Sequence, residues 1–221
     1  MLDVFGYGVE ENHALFVLAG FWRLYESVTM DYHSPLKNFG KMIHLNKLED
    51  EACRELMIKP MRRIEVEYED VNLLDEVIAK CGNRANLIAM VCDNIIKGLE
   101  NKTITKETVD HAMEQENIYE TLMEWEGLSS GRENSINRLI VYLSFEMESF
   151  SLTDIVGRIE KEGLEIGIKE VERSLRQLTL GYVIQKRKNR YYYPIPLLIE
   201  MLLEDRETIE TQLKGIVLGL K

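Results

Sequence analysis

Cysteine and proline are scarce in this 221-residue chain, which has three of one and four of the other, and aromatic residues make up only 8%. Cys53, Cys81 and Cys92 are odd in number, widely spaced and form no CxxC, so neither a disulfide framework nor a zinc site is supported and they read as buried reduced thiols. Four prolines beside fourteen glycines exclude collagenous and proline-rich classes. No charge-free apolar run reaches the ~18 residues that a membrane span needs, so no membrane partner is expected. The opening MLDVFGYGVEENH lacks a basic region followed by an apolar one, so a cytoplasmic location is the expectation. Basic side chains are outnumbered, 27 against 38 acidic, for a net charge of −11. A chain that coats nucleic acid through overall charge is thereby disfavoured. His13, His33, His44 and His111 are isolated, and neither HExxH nor G-x-S-x-G occurs, so no metal site or complete catalytic site is read. The adjacent acids Glu49-Asp50-Glu51 point apart on a helix and suit a solvated first turn better than an acid/base pair.

With 45% apolar and 29% charged residues, the composition is that of a globular protein long enough for two modest domains. Residues 1–132 carry 14 basic and 24 acidic side chains, while residues 133–221 carry 13 and 14. The stretch Glu126-Gly127-Leu128-Ser129-Ser130-Gly131 is the only Gly/Ser cluster between helical patterns, which places a domain boundary there and divides the chain into 1–130 and 131–221. Leu15-Phe16-Val17-Leu18-Ala19-Gly20 reads as a buried strand without sequence partners. Helices are predicted around Trp22–Ser27, over Leu48–Met57, Val71–Lys80 and Arg84–Leu99, and from an N-cap at Thr105 toward Glu126. The fold class is therefore mainly α: a helical bundle with one stray N-terminal strand, followed by a second domain.

The order FVLAGFWRLYE, SPLKNFGKMIHLNKLEDEACRELMIKPM, CGNRANLIAMVCDNII and ITKETVDHAM resembles the downstream part of prokaryotic P-loop ATPases of the AAA+/STAND type, over roughly residues 13 to 115. The resemblance implies that Leu15–Gly20 ends a nucleotide-binding sheet and that the Leu48–Met57 region opens a helical lid. It also implies that Arg84, in the Gly-Asn-Arg segment, is nucleotide-binding through its fixed charge on phosphates. ATP and Mg²⁺ are implied for a full-length protein, and no cofactor for this chain. A P-loop needs G-x-x-x-x-G-K-[ST], and the only Gly-Lys pair, Gly40-Lys41, is followed by Met42 and lacks the preceding glycine. Val71-Asn72-Leu73-Leu74-Asp75-Glu76 imitates a magnesium-binding run, but Asn72 interrupts it and Val77-Ile78 continues as helix. With Met1 as the native start, this chain alone is expected not to hydrolyse ATP.

From Glu133 onward the order is helix, helix, helix, hairpin, which is that of a winged helix-turn-helix. Ile136, Leu139, Ile140 and Leu143 share one helical face, and Ser151-Leu152-Thr153-Asp154 reads as a capping box opening the second helix. The third, Ile168 to Leu180, stops at Gly181, which suits a left-handed C′ position. At ~100° per residue from Lys169, Arg173 lies near 40° and Arg176 near 340°, opposite Ile168, Val171, Leu175 and Leu178. Lys169, Arg173, Arg176 and Gln177 are thus candidate DNA-binding residues of this helix. The hairpin tip adds Lys186, Arg187, Lys188 and Arg190, placed where a wing meets backbone or minor groove. Glu170 and Glu172 flank that face, and winged helices also dock proteins, so double-stranded DNA and a protein partner both stand as candidates. Strand alternation turns Tyr191 and Tyr193 inward and leaves Tyr192 exposed.

Ile199, Leu202, Arg206, Ile209, Leu213, Ile216 and Leu220 form a heptad-like seam in a last helix, with Gly215 and Gly219 weakening it. It is expected to fold back on the winged helix, with self-association through it as the other option. The functional expectation is the lid and winged-helix region of an AAA+/STAND-like ATPase, coupling nucleotide state to recognition of DNA or a protein and not catalytic alone. A free-standing winged-helix transcription regulator and a winged-helix interaction adaptor are the alternatives.

Overall fold

The computed structural model describes residues 17–20, 22–37, 39–43 and 47–221. The chain divides into two compact units, Met1–Asn46 and Lys47–Lys221. In the first, helix α1 spans Trp22–Thr29. The strand expected over Leu15–Gly20 is corrected over its described part: Val17 to Gly20 are irregular and exposed, Val17 at 87%. A strand exists only where another backbone accepts its ladder of hydrogen bonds, and among the described residues none pairs with this segment. Leu15 and Phe16 lie outside the described residues.

The second unit opens with α2 (Asp50–Arg63), whose acidic first turn and basic last turn both oppose the helix dipole. Cys53, Met57 and Met61 recur every four residues and are buried. Next come β1 (Glu67–Tyr68), α3 (Asn72–Lys80) and α4 (Ala85–Lys97), then β2 (Thr103–Ile104), which pairs in parallel with β1. Thr105 caps α5 (Lys106–Met113), its Oγ1 accepting from Thr108 N at 3.3 Å. The helix expected to run on toward Glu126 breaks there, and α6 covers Glu116–Met123 before a 3₁₀ turn at Glu124–Gly127. Asn94 of α4 sits in the bend, its Nδ2 donating to Ala112 O at 3.0 Å and to Asn117 Oδ1 at 2.9 Å.

The remaining elements are α7 (Gly131–Ser144), α8 (Leu152–Lys161), α9 (Ile168–Leu180), β3 (Gln185–Arg187), β4 (Arg190–Tyr192), α10 (Pro196–Glu204) and α11 (Arg206–Leu220). The Gly/Ser stretch before α7 is anchored at both ends. Trp125 is buried and meets the Tyr142 ring edge-on, and Leu128 packs where a Cβ on Gly181 would stand. Gly181 itself has φ −74°, so close approach rather than a left-handed turn requires glycine, and Tyr182 takes the positive φ instead. The single last helix of the heptad reading is two helices: Asp205 leaves helical geometry, and the Tyr119 hydroxyl donates to its side chain at 2.8 Å. As expected, α11 folds back on α7, burying Ile209 and Val217, and Gln212 Oε1 accepts from Arg138 Nη2 at 2.7 Å.

One hydrophobic cluster extends from Cys53 to Val217. Two consecutive residues after α3 reach other elements, Gly82 the segment entering α10 and Asn83 the start of α2. Gly82, at φ +59°, lies so close to Pro194 that a Cβ would be 2.3 Å from its carbonyl oxygen. Asn83, at φ +61° and buried, donates to Asp50 Oδ1 at 2.6 Å and accepts at its backbone oxygen from Leu48 N at 3.1 Å. No helix of the described residues is long and apolar enough to cross a membrane.

Candidate nucleic-acid interface

The local chemistry of residues 149–154 builds the base of the hairpin. Ser151 Oγ accepts from Asp154 N at 3.2 Å while Asp154 Oδ2 accepts from Ser151 N at 2.8 Å, the reciprocal capping box expected from the sequence. The bond from Ser151 N, and after it one with the Ser151 side chain, hold the Asp154 carboxyl below the usual carboxylate range. Asp154 also lies 3.6 Å from Arg190 Nη2. Arg190 is fixed further by Ser149, to whose Oγ and backbone oxygen it donates at 2.8 and 2.6 Å. Phe150 and Tyr191 exchange both backbone hydrogen bonds, so the hairpin gains a third strand position, and their rings stack at 5.6 Å. Tyr193 turns inward with its hydroxyl 2.7 Å from Ser144 Oγ; Tyr192 is half-buried, donating to Gln185 at 2.5 Å.

The hairpin pairs Gln185 with Tyr192, Lys186 with Tyr191 and Arg187 with Arg190 around the two-residue tip Lys188-Asn189. Lys188 takes the left-handed φ of 54° that such a tight turn requires. Lys186 and Arg187 lie over the rings of Tyr191 and Tyr192, at 5.3 and 4.8 Å from their centroids, which directs both cations along the hairpin surface. Arg187 and Arg190 stand directly opposite each other, a like-charge pair that destabilises a hairpin. Lys186, Arg187 and Lys188 are exposed and form no ion pair among the described residues.

Helix α9 presents a different distribution from the one its periodicity predicts. Lys169 and Arg176 are exposed and unpaired among the described residues. Arg173 is drawn to α7, its Nε 2.5 Å from Glu133 Oε1. Beside it, Arg132 Nε donates to Glu170 Oε1 at 3.1 Å, and this bond, followed by one from Gly167 N, holds the Glu170 carboxyl below the usual range. Gln177 is removed from the candidate set: it is fully buried, its Oε1 accepting from Asn137 Nδ2 of α7 at 2.8 Å. A DNA base cannot reach it. Ile168, placed by periodicity on the core side, is 58% exposed, because only the later turns of α9 are covered. Three of the four helix residues and all four hairpin residues therefore reach the surface.

Arg84 is the N-cap residue of α4 and half-buried; burial disfavours its cation, and the field of Glu124 partly offsets this. A cleft of about 470 Å³ in this unit has acidic walls, including Glu76, Asp110, Glu200 and Glu204, and its two lysines are engaged. Lys106 donates to Glu76 at 2.8 Å and Lys80 to Glu200 at 3.2 Å. Neither feature suits a polyanion. No family model and no curated protein matches this chain.

Proposed function

We propose that residues 131–221 form a winged helix-turn-helix that binds double-stranded DNA, and that the chain is the lid and winged-helix end of an AAA+/STAND-type ATPase whose nucleotide state governs that binding. The observation that carries the DNA reading is a group of cations without carboxylate partners. Lys169 and Arg176 on α9 and Lys186, Arg187 and Lys188 on the hairpin are all exposed, in a chain where acids outnumber bases 38 to 27. Neighbouring Arg132, Arg138 and Arg206 each have a carboxylate within 3.4 Å. Phosphates supply the counter-charge that the protein withholds, and they offset the Arg187–Arg190 repulsion.

The ATPase part rests on the sequence resemblance. The residues present do not by themselves fit ATP and Mg²⁺, since the chain has no P-loop and Arg84 is half-buried. No step through the nucleotide follows from them. The lid would act on the winged helix through shared packing, including the close Gly82–Pro194 approach.

The test is fluorescence anisotropy of a labelled duplex across a salt series, with a variant carrying Lys186, Arg187, Lys188 and Arg190 all changed to Ala. Each phosphate that is no longer neutralised lowers the slope of log K against log salt by about 0.9, and removing three unpaired hairpin cations corresponds to a decrease of about 2.7. Absence of binding at 25 mM salt (on the order of a 20 Å screening length) would refute the DNA reading and leave the winged helix as a protein-docking module.

A further inference from the structure

The exposed face of α9 is not uniformly basic. From Lys169 at zero, Glu172 lies at about 300°, Arg176 at about 340° and Ile168 at about 260°, counting ~100° per residue. All four side chains are exposed, and Glu172 has no hydrogen bond or ion pair among the described residues. The two neighbouring acids of this region behave otherwise, Glu133 and Glu170 being bound by Arg173 and Arg132. A free carboxylate one helical turn from each of two cations on a phosphate-binding face opposes the attraction that the cations create. A donor on the bound base edge would turn that opposition into an attraction.

The major groove supplies such donors selectively. Cytosine presents only its N4 amino group there, and Asp or Glu side chains accept from it; guanine and thymine present acceptors, and adenine sets its N7 acceptor, which repels a carboxylate and suits an amide, beside its N6 donor. We propose that Glu172 is the base-selecting residue of this helix, accepting a hydrogen bond from the N4 amino group of a cytosine in the major groove. This rests on the DNA-binding reading above and adds what that reading leaves open, namely that the site is sequence-selective. Ile168, an apolar side chain 58% exposed in the first turn, completes a mixed face of donor, acceptor and hydrocarbon, the last suited to a thymine methyl group. Lys169 and Arg176 then position the helix, and Glu172 rejects bases that offer it only acceptors.

The experiment is selection of duplexes from a randomised pool by the full chain, followed by titration of the selected site and its single-base variants with wild type, Glu172→Ala and Glu172→Gln. Wild type should enrich one cytosine position and lose about five- to a hundredfold in affinity when that base is changed. Glu172→Ala should reduce this discrimination to about threefold or less, and Glu172→Gln should transfer the preference at the same position to adenine, whose N6 and N7 suit an amide. Glu172 makes no contact that folding needs, so thermal melts of all three chains should coincide. If Glu172→Ala selects the same site, or tightens binding to every duplex equally, Glu172 is not the selecting residue although DNA binding stands. If no chain captures any duplex at low salt, the DNA reading and this one fall together.

Discussion

Replacing Gly82 by Ala adds a single methyl group at the contact that joins the helical bundle to the segment entering α10. Two independent costs arise. The residue has φ +59°, where an L side chain loses roughly 1–2 kcal/mol, and its Cβ would lie 2.3 Å from Pro194 O and 3.1 Å from Ile195 Cγ1. A backbone carbonyl cannot rotate away as a flexible side chain does, so chain displacement adds about 1–3 kcal/mol. Together they amount to a destabilisation of about 2–5 kcal/mol, large against the 5–15 kcal/mol typical of a folded domain. Gly215 makes an internal control, because it lies inside α11 with no atom within 4 Å of a built Cβ. There the same substitution removes chain entropy from the unfolded state and should stabilise by about 1 kcal/mol. Urea unfolding followed by far-ultraviolet circular dichroism should therefore move the two midpoints in opposite directions at similar slopes. A Gly82→Ala chain within about 0.5 kcal/mol of wild type would refute the close approach of residue 82 to residue 194.

Three further outcomes follow from the same structure. Gln177→Leu should destabilise by about 1–3 kcal/mol by removing the buried partner of Asn137, whereas the double change with Asn137→Leu should recover part of the loss, as a double-mutant cycle in urea would show. Burial pushes Cys81 up to about 12 and Cys92 up to about 11, so all three buried thiols should label slowly with an alkylating reagent at pH 8 and rapidly in urea; rapid labelling of any one in the native state would contradict its placement. Asp154 is held below its ordinary value, so the stability it contributes is complete above pH of about 4 and is lost as pH falls through the lower folded value. The gap between wild type and Asp154→Ala in urea unfolding should accordingly be wide at pH 6 and narrow at pH 2.5.

Short-range features were legible in the residues alone. Thr105 and the Ser151–Asp154 capping box are completed within three residues, and the hairpin tip at Lys188-Asn189 needs only its own turn chemistry. The core stripe of α9 at Val171, Leu175 and Leu178 obeys the helical period. Periodicity sets the direction of a buried arc and leaves its width to the neighbours. Contacts with α7 and α8 widen that arc to take in Ser174 and Gln177, while the first turn stays uncovered and leaves Ile168 in solvent.

Charge followed the same division. Composition counts Arg173 and Arg190 as cations equal to Arg176 and Lys188, but Glu133 lies 40 positions from Arg173 and Ser149 lies 41 from Arg190, and those partners engage both side chains. Tyr119 meets Asp205 across 86 residues. Helices, caps and the hairpin turn were set by the sequence because their interactions close within a turn or two of chain. Which cations stay free, where the last helix bends and which glycine admits no methyl group depend on contacts between distant residues, and those form only when the chain has folded.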